Sequence, residues 1–79
     1  MKYKLKEHVT DEMLAEIGFY KTPLGHWRFD VSNNHHVIGD KSTHEVMALR
    51  YDFRLLKLVV IESNKLKDLI ELDYVEVEE

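Results

Sequence analysis

The chain contains no cysteine at all. Disulfides, thiolate metal sites and thiol nucleophiles are therefore excluded, and a small domain without covalent staples suits a reducing compartment. One proline and three glycines leave no room for a long linker. Apolar runs are also short. The longest, Leu58 to Ile61, falls far below the roughly 20 residues that cross a bilayer. The first residues lack the apolar centre of a signal peptide. The expectation is a cytoplasmic chain with no membrane association.

A basic excess is missing as well. Net charge is −4, and residues 71–79 alone carry −5 from Glu71, Asp73, Glu76, Glu78 and Glu79, so the remainder sits near +1. That distribution argues against a whole-surface nucleic-acid footprint but leaves a local patch open. Hydrophobic content of 44% and charged content of 33% fit a globular chain rather than a disordered one. At 79 residues there is room for a single domain, residues 1–79, near the lower limit of what one core supports.

What is present is a change of period. Tyr3 and Leu5 alternate with Lys2, Lys4 and Lys6, as in a half-buried strand. Thr10 then reads as a helix N-cap, with Asp11 and Glu12 in the first turn and Val9 and Leu14 spaced as a hydrophobic staple. Met13, Leu14 and Ile17 form the stripe of a helix over 10–17, and Gly18 supplies a left-handed stop. A loop over 21–25 holds the only proline. Trp27, Phe29 and Val31 alternate in the next strand, Ser32, Asn33 and Asn34 turn the chain, and residues 35–39 return as its hairpin partner. Residues 40–43 make a further connection.

The centre, 45–61, has two readings. A helix would align Val46, Leu49, Phe53, Leu56 and Val60, with Ser42 and Glu45 as its capping box. A strand would align Met47, Leu49, Tyr51, Phe53 and Leu55 against Arg50, Asp52 and Arg54. The unbroken alternation and the β-branched end favour strand. One straight strand of this length would be about 55 Å, too long for the domain, so a break near Asp52–Arg54 is expected. The apolar phase slips at Leu55–Leu56, as a bulge would make it. A second helix follows, capped by Ser63 or Asn64, with Leu66, Leu69 and Ile70 inward. The terminal strand sets Val75 and Val77 against Tyr74, Glu76 and Glu78.

The fold expected is α+β: a mostly antiparallel sheet of about five or six short strands with two short helices packed on it. First and last strands should be neighbours, because the lysines at 2, 4 and 6 then face Glu76 and Glu78 on one outer surface. The expected core is Met13, Leu14, Ile17, Phe29, Leu66, Leu69, Ile70, Val75 and Val77.

The stretches MKYKLKEHVTDEMLAEIGF and LKDLIELDYVEV resemble small uncharacterised proteins encoded by phages and prophages of Gram-positive bacteria. Those proteins open with a lysine-alternating strand and a short T-x-E-x-L-x-x-x-G-F-like helix, and close with a D-L-I-x-x-x-x-V-E-V-like helix and strand. The resemblance covers about half the chain and consists of fold-determining residues. It implies an origin and a cytoplasmic setting, and carries over no site residue.

Chemistry-bearing constellations are sparse. Of the histidines, His8, His26, His35, His36 and His44, the adjacent His35 and His36 point to opposite faces of a strand and cannot share an ion. A site from His26, His36, His44 and Asp40 is conceivable but lacks ligand spacing, so no metal and no cofactor are expected. Ser32, Ser42 and Ser63 fall at turns or caps, outside any nucleophile motif. Isolated glycines make no phosphate loop. The chain therefore reads as a non-enzyme. One basic surface stands out, Arg50, Arg54 and Lys57, with Trp27, Tyr51 and Phe53 as stacking candidates, although the strand reading sets Tyr51 and Phe53 on the face opposite Arg50 and Arg54 and packs them in the core. The leading expectation is an accessory or host-modulating module that binds another protein, a second copy of itself included. The alternative is a small nucleic-acid-binding module using Arg50, Arg54 and Lys57.

Overall fold

The computed structural model describes residues 2–78. Its elements run β1 (Lys2–Leu5), α1 (Asp11–Glu16), β2 (Tyr20–Lys21), β3 (Trp27–Ser32), β4 (His35–Gly39), β5 (Glu45–Asp52), β6 (Lys57–Ile61), α2 (Asn64–Glu71) and β7 (Val75–Glu78). All pairings are antiparallel, which makes this an α+β domain of one seven-stranded sheet and two short helices. The strands run β2-β3-β4-β5-β1-β7, and β6 pairs only with β5. Among the described residues, no helix is long and apolar enough to cross a membrane.

Local chemistry accounts for the helices. Thr10 Oγ1 accepts the Met13 N–H at 3.2 Å, and Met13 Sδ accepts the Thr10 N–H at 3.4 Å, so the two ends of the cap satisfy each other. Gly18 takes φ +98°, which lets the Phe19 N–H return to the Leu14 carbonyl at 3.0 Å. A side chain at Gly18 would also meet the Phe29 ring at 3.0 Å. Helix α2 starts on Ser63, whose hydroxyl accepts the Lys65 N–H at 3.2 Å.

β1 and β7 are neighbours in the expected register, with Lys2 opposite Glu78, Tyr3 opposite Val77, Lys4 opposite Glu76 and Leu5 opposite Val75. Lys6 continues the row by pairing with Asp73. The proton on Lys6 is held above the usual lysine range by Asp73, and the Asp73 carboxyl is held below its usual range by Lys6.

Both helices cover one face of the sheet. Leu14, Leu66 and Leu69 pack there on Leu5, Val37, Val46, Ala48 and Val75, with Val9, Phe19 and Trp27 closing the edges. Met13, Ile17 and Phe29 border this core half-buried. Two expected members lie outside it: Ile70 is 37% exposed and Val77 is 41% exposed. Ile70 sits on the solvent side of α2, and Val77 lies on the edge strand β7.

The centre is two strands, and the helical reading is wrong. The break falls after Asp52, as length required, but no bulge marks it; the irregularity lies instead in β3, between Asp30 and Ser32. Asp52 makes the turn. Its Oδ1 accepts the N–H groups of Arg54 at 2.8 Å and Leu55 at 3.1 Å, and Leu56 takes φ +55°. The phase of β5 is the reverse of the expectation. Val46 and Ala48 face the helices, whereas Met47, Leu49 and Tyr51 face away. The two-residue strand β2 was not expected, because its length gives no periodicity to read.

Candidate interaction site on the β5–β6 hairpin

On the sheet face opposite the helices, register places Ile38 beside Met47, Leu49 beside Val60, and Tyr51 beside Leu58. No helix covers these side chains. Leu58 is 50% exposed and Val60 71%, and the turn adds Phe53 at 70%, Leu55 and Leu56. Large apolar side chains in water are ordinary when scattered, but these lie together on one hairpin. Elsewhere on this face the surface is polar. Tyr20 and Arg28 both donate to Asp30, each at 2.7 Å, and together they hold its carboxyl below the usual range. His36 is buried beside them, and that burial, reinforced by Arg28, pushes its proton affinity below the ordinary histidine value.

The backbone of this hairpin is half used. Tyr51 donates its N–H to the Asn34 carbonyl at 2.8 Å, and the Glu45 carbonyl accepts from Asp40 at 2.9 Å, so odd-numbered residues of β5 turn their polar groups toward β4. Arg50 therefore turns toward β6, where it faces Val59. Leu58 and Val60 in turn direct their N–H and C=O groups outward, and among the described residues nothing pairs with them.

Of the sequence-predicted surface, the structure brings Arg50 and Arg54 together. They line a recess of about 400 Å³ with Asn34, Tyr51, Asp52 and Phe53. Lys57 lies outside this lining, opposite Asp52 across the hairpin. Among the described residues, none of the three forms an ion pair. Trp27 is buried in the core and is no stacking group. Tyr51 and Phe53, expected to pack inside, instead meet edge to face at the hairpin end, 4.9 Å between ring centres.

The sequence reading missed a second feature. β1 and β6 lie in line along the same edge of β5, β1 beside Glu45–Val46 and β6 beside Ala48–Asp52. Where they part, a cleft of about 400 Å³ opens over Tyr3, Met47, Val60 and Leu66, rimmed by Lys2, Glu45 and Glu62. The Tyr3 hydroxyl donates to Glu62 across its mouth, which raises the pKa of Tyr3. Nothing in the one-dimensional pattern announces a fork.

The remaining candidates have structural partners. His26 Nε2 lies 3.7 Å from Asp40, while His35 and His36 occupy opposite faces of β4. Among the described residues, no group of three or more histidine or acidic side chains converges. Asp40 accepts from the Ser42 N–H, the Ser42 hydroxyl and the Thr43 N–H, which lowers its pKa and builds the turn into β5. Ser32 donates to Asn34 within the β3–β4 turn. No family model, curated protein or solved structure matches the chain.

Proposed function

We propose that this chain is a non-enzymatic protein-binding module, an accessory or host-modulating protein of the kind small phage genes encode, with the β5–β6 hairpin as its contact element. One observation carries the reading: Phe53, Leu55, Leu56, Leu58 and Val60 all project into solvent from a single hairpin. Protein contact is the ordinary way to remove a clustered apolar surface from water. Tyr51, Arg50 and Arg54 beside these side chains are of the residue types enriched among energetically dominant interface positions. A photo-crosslinking residue in place of Phe53 tests it. Protein adducts that disappear with Leu56→Asp are expected. Absence of any protein adduct, or adducts to nucleic acid alone, would overturn it.

A second reading draws on a different observation. Arg50 and Arg54 share a recess with the half-buried Tyr51 and the exposed Phe53, a basic and aromatic mixture suited to unstacked bases. Titration with single-stranded and duplex oligonucleotides at two salt concentrations checks this. Affinity that falls steeply with salt and is reduced by Arg54→Ala would support it.

A further inference from the structure

The strands with a free edge are protected unequally. β2 is two residues long and ends in Lys21, and β7 carries Glu76 and Glu78. Shortness and charge are standard defences against unwanted strand pairing. In β6 only Lys57 is charged, and Leu58, Val59, Val60 and Ile61 follow it without proline, glycine or bulge. The lane outside β6 is open over a definite length. β7 runs along β1 and fills that lane as far as Glu78, opposite Lys2. Lys57–Val60 lie past this point, and among the described residues only β5 pairs with them.

Charge indicates what the open stretch accepts. The chain as a whole carries −4, yet its hairpin from Leu49 to Ile61 sets Arg50, Arg54 and Lys57 against Asp52 alone, a local +2. Asp52 is turned to the N–H groups of Arg54 and Leu55, and among the described residues the three cations form no ion pair. A second copy of the hairpin would set like charge against like. An acidic strand would not.

We propose that the β6 edge takes up an extended, acidic segment of another protein as an added antiparallel strand opposite Lys57–Val60. The inference rests on the protein-binding reading of the same hairpin and names the chemistry of its partner. Antiparallel is the sense of every other pair in the sheet. Leu58 and Val60 direct their N–H and C=O groups outward, so the two residues facing them exchange hydrogen bonds in both directions. Side chains of those two residues fall on the face away from the helices. There they extend the apolar stripe of Leu49, Tyr51, Leu58 and Val60, and so they are apolar. The residue between them faces Val59 and is free to vary. The next one faces Lys57 and is Asp or Glu, with further acid beside Arg54. At the other end β7 bars the lane, and Glu45 and Glu62 rim the fork. The segment therefore begins at the fork with its amino end and runs toward the turn. Its pattern from that end is apolar, any residue, apolar, acidic.

Selection of a random heptapeptide library with free amino ends on the immobilised full chain tests the proposal. Enrichment of the apolar, any, apolar, acidic pattern is expected. The peptide VTVEDE, which carries it, should bind in fluorescence anisotropy and weaken as salt rises. N-methylation of its second valine, which faces Leu58, should weaken binding about tenfold, the equivalent of roughly 1.4 kcal/mol for one lost hydrogen bond. N-methylation of its threonine, whose N–H points away from β6, should leave binding unchanged. Lys57→Glu in the protein should weaken it by about tenfold through like-charge contact. No enrichment, a pattern without acid, or equal losses from the two methylations overturns the proposal. Dimerisation of the chain alone that excludes the peptide would give the edge to a second copy and overturn it likewise. Crosslinks from position 53 to other proteins, with no peptide bound by the β6 edge, would overturn strand addition alone and leave the protein-binding reading standing.

Discussion

The two ends of β5 live under different rules. At Glu45–Val46 the strand is flanked by β4 and β1, and Val46 and Ala48 are buried under the helices. At Arg50–Asp52 the same strand leaves the helices behind and continues as one arm of a hairpin with an open edge and a bare face. The open end is the more charged, with Arg50 and Asp52 about Tyr51, yet Tyr51 is as able to pack as Met47 or Leu49. What differs is cover, and cover decides whether an apolar side chain contributes to folding or remains for a partner. Stability should therefore be concentrated at the closed end and binding at the open one.

The largest effect that would break this contrast is a pair of truncations. Leu69→Ala removes a side chain buried among both helices and the sheet and should cost about 2–5 kcal/mol in denaturant unfolding. Leu56→Ala, at 73% exposure, should fall within about 0.5 kcal/mol. Equal losses would show that the hairpin belongs to the folding unit as fully as the core does. Next in size is Gly18→Ala. It forces a side chain into φ +98° and against the Phe29 ring, so a loss of about 1–2 kcal/mol is expected from thermal or chemical unfolding. Thr10→Ala should follow at about 1 kcal/mol through loss of the cap bond to Met13.

A pH series sharpens the comparison from the open face. His36 is buried and its pKa is lowered from the ordinary 6.5, so the folded state resists protonation more than the unfolded state does. Its contribution is fully present above that value and is lost as pH falls below 6.5 toward the lowered folded pKa. Replacing His36 with Leu should flatten the stability profile in that window, and an unchanged slope would count against burial as the cause. Asp30, Asp40 and Asp73 act at lower pH in the same direction, since partners depress each carboxyl and protonation there favours unfolding. The smallest effect belongs to the lysine row. Reversing Lys4 against Glu76 should cost roughly a few tenths of a kcal/mol at low salt, and restoring opposite signs with Glu76→Lys should recover it. No dependence on salt would mean that the charges serve only to keep that face in water.

Much of the fold was legible because its signals are local. Thr10, Gly18 and Ser63 act on backbone groups within a few residues of themselves, so both helix ends could be read directly. The pairing of β1 with β7 was also legible, because two period-two patterns of opposite charge admit one register that leaves all the charges in water. The candidate site was legible only in part. Arg50 and Arg54 were found, yet their neighbours Tyr51 and Phe53 were assigned to the interior because they alternate with charged residues, and Lys57 was grouped with the arginines by proximity in sequence.

The sequence by itself determined the elements, the caps and the alternation of faces, since each depends on spacing along the chain. Which face of β5 would be buried was a tertiary decision. Both Val46/Ala48 and Met47/Leu49/Tyr51 are apolar enough to pack, and the choice fell to the helices, whose leucines cover one side of the sheet only. The fork between β1 and β6 is likewise tertiary, because it exists only when two distant segments compete for one edge of β5. The exposure of the hairpin follows from the same competition: two short helices cannot roof a seven-stranded sheet, and the end they leave bare keeps its apolar surface in water.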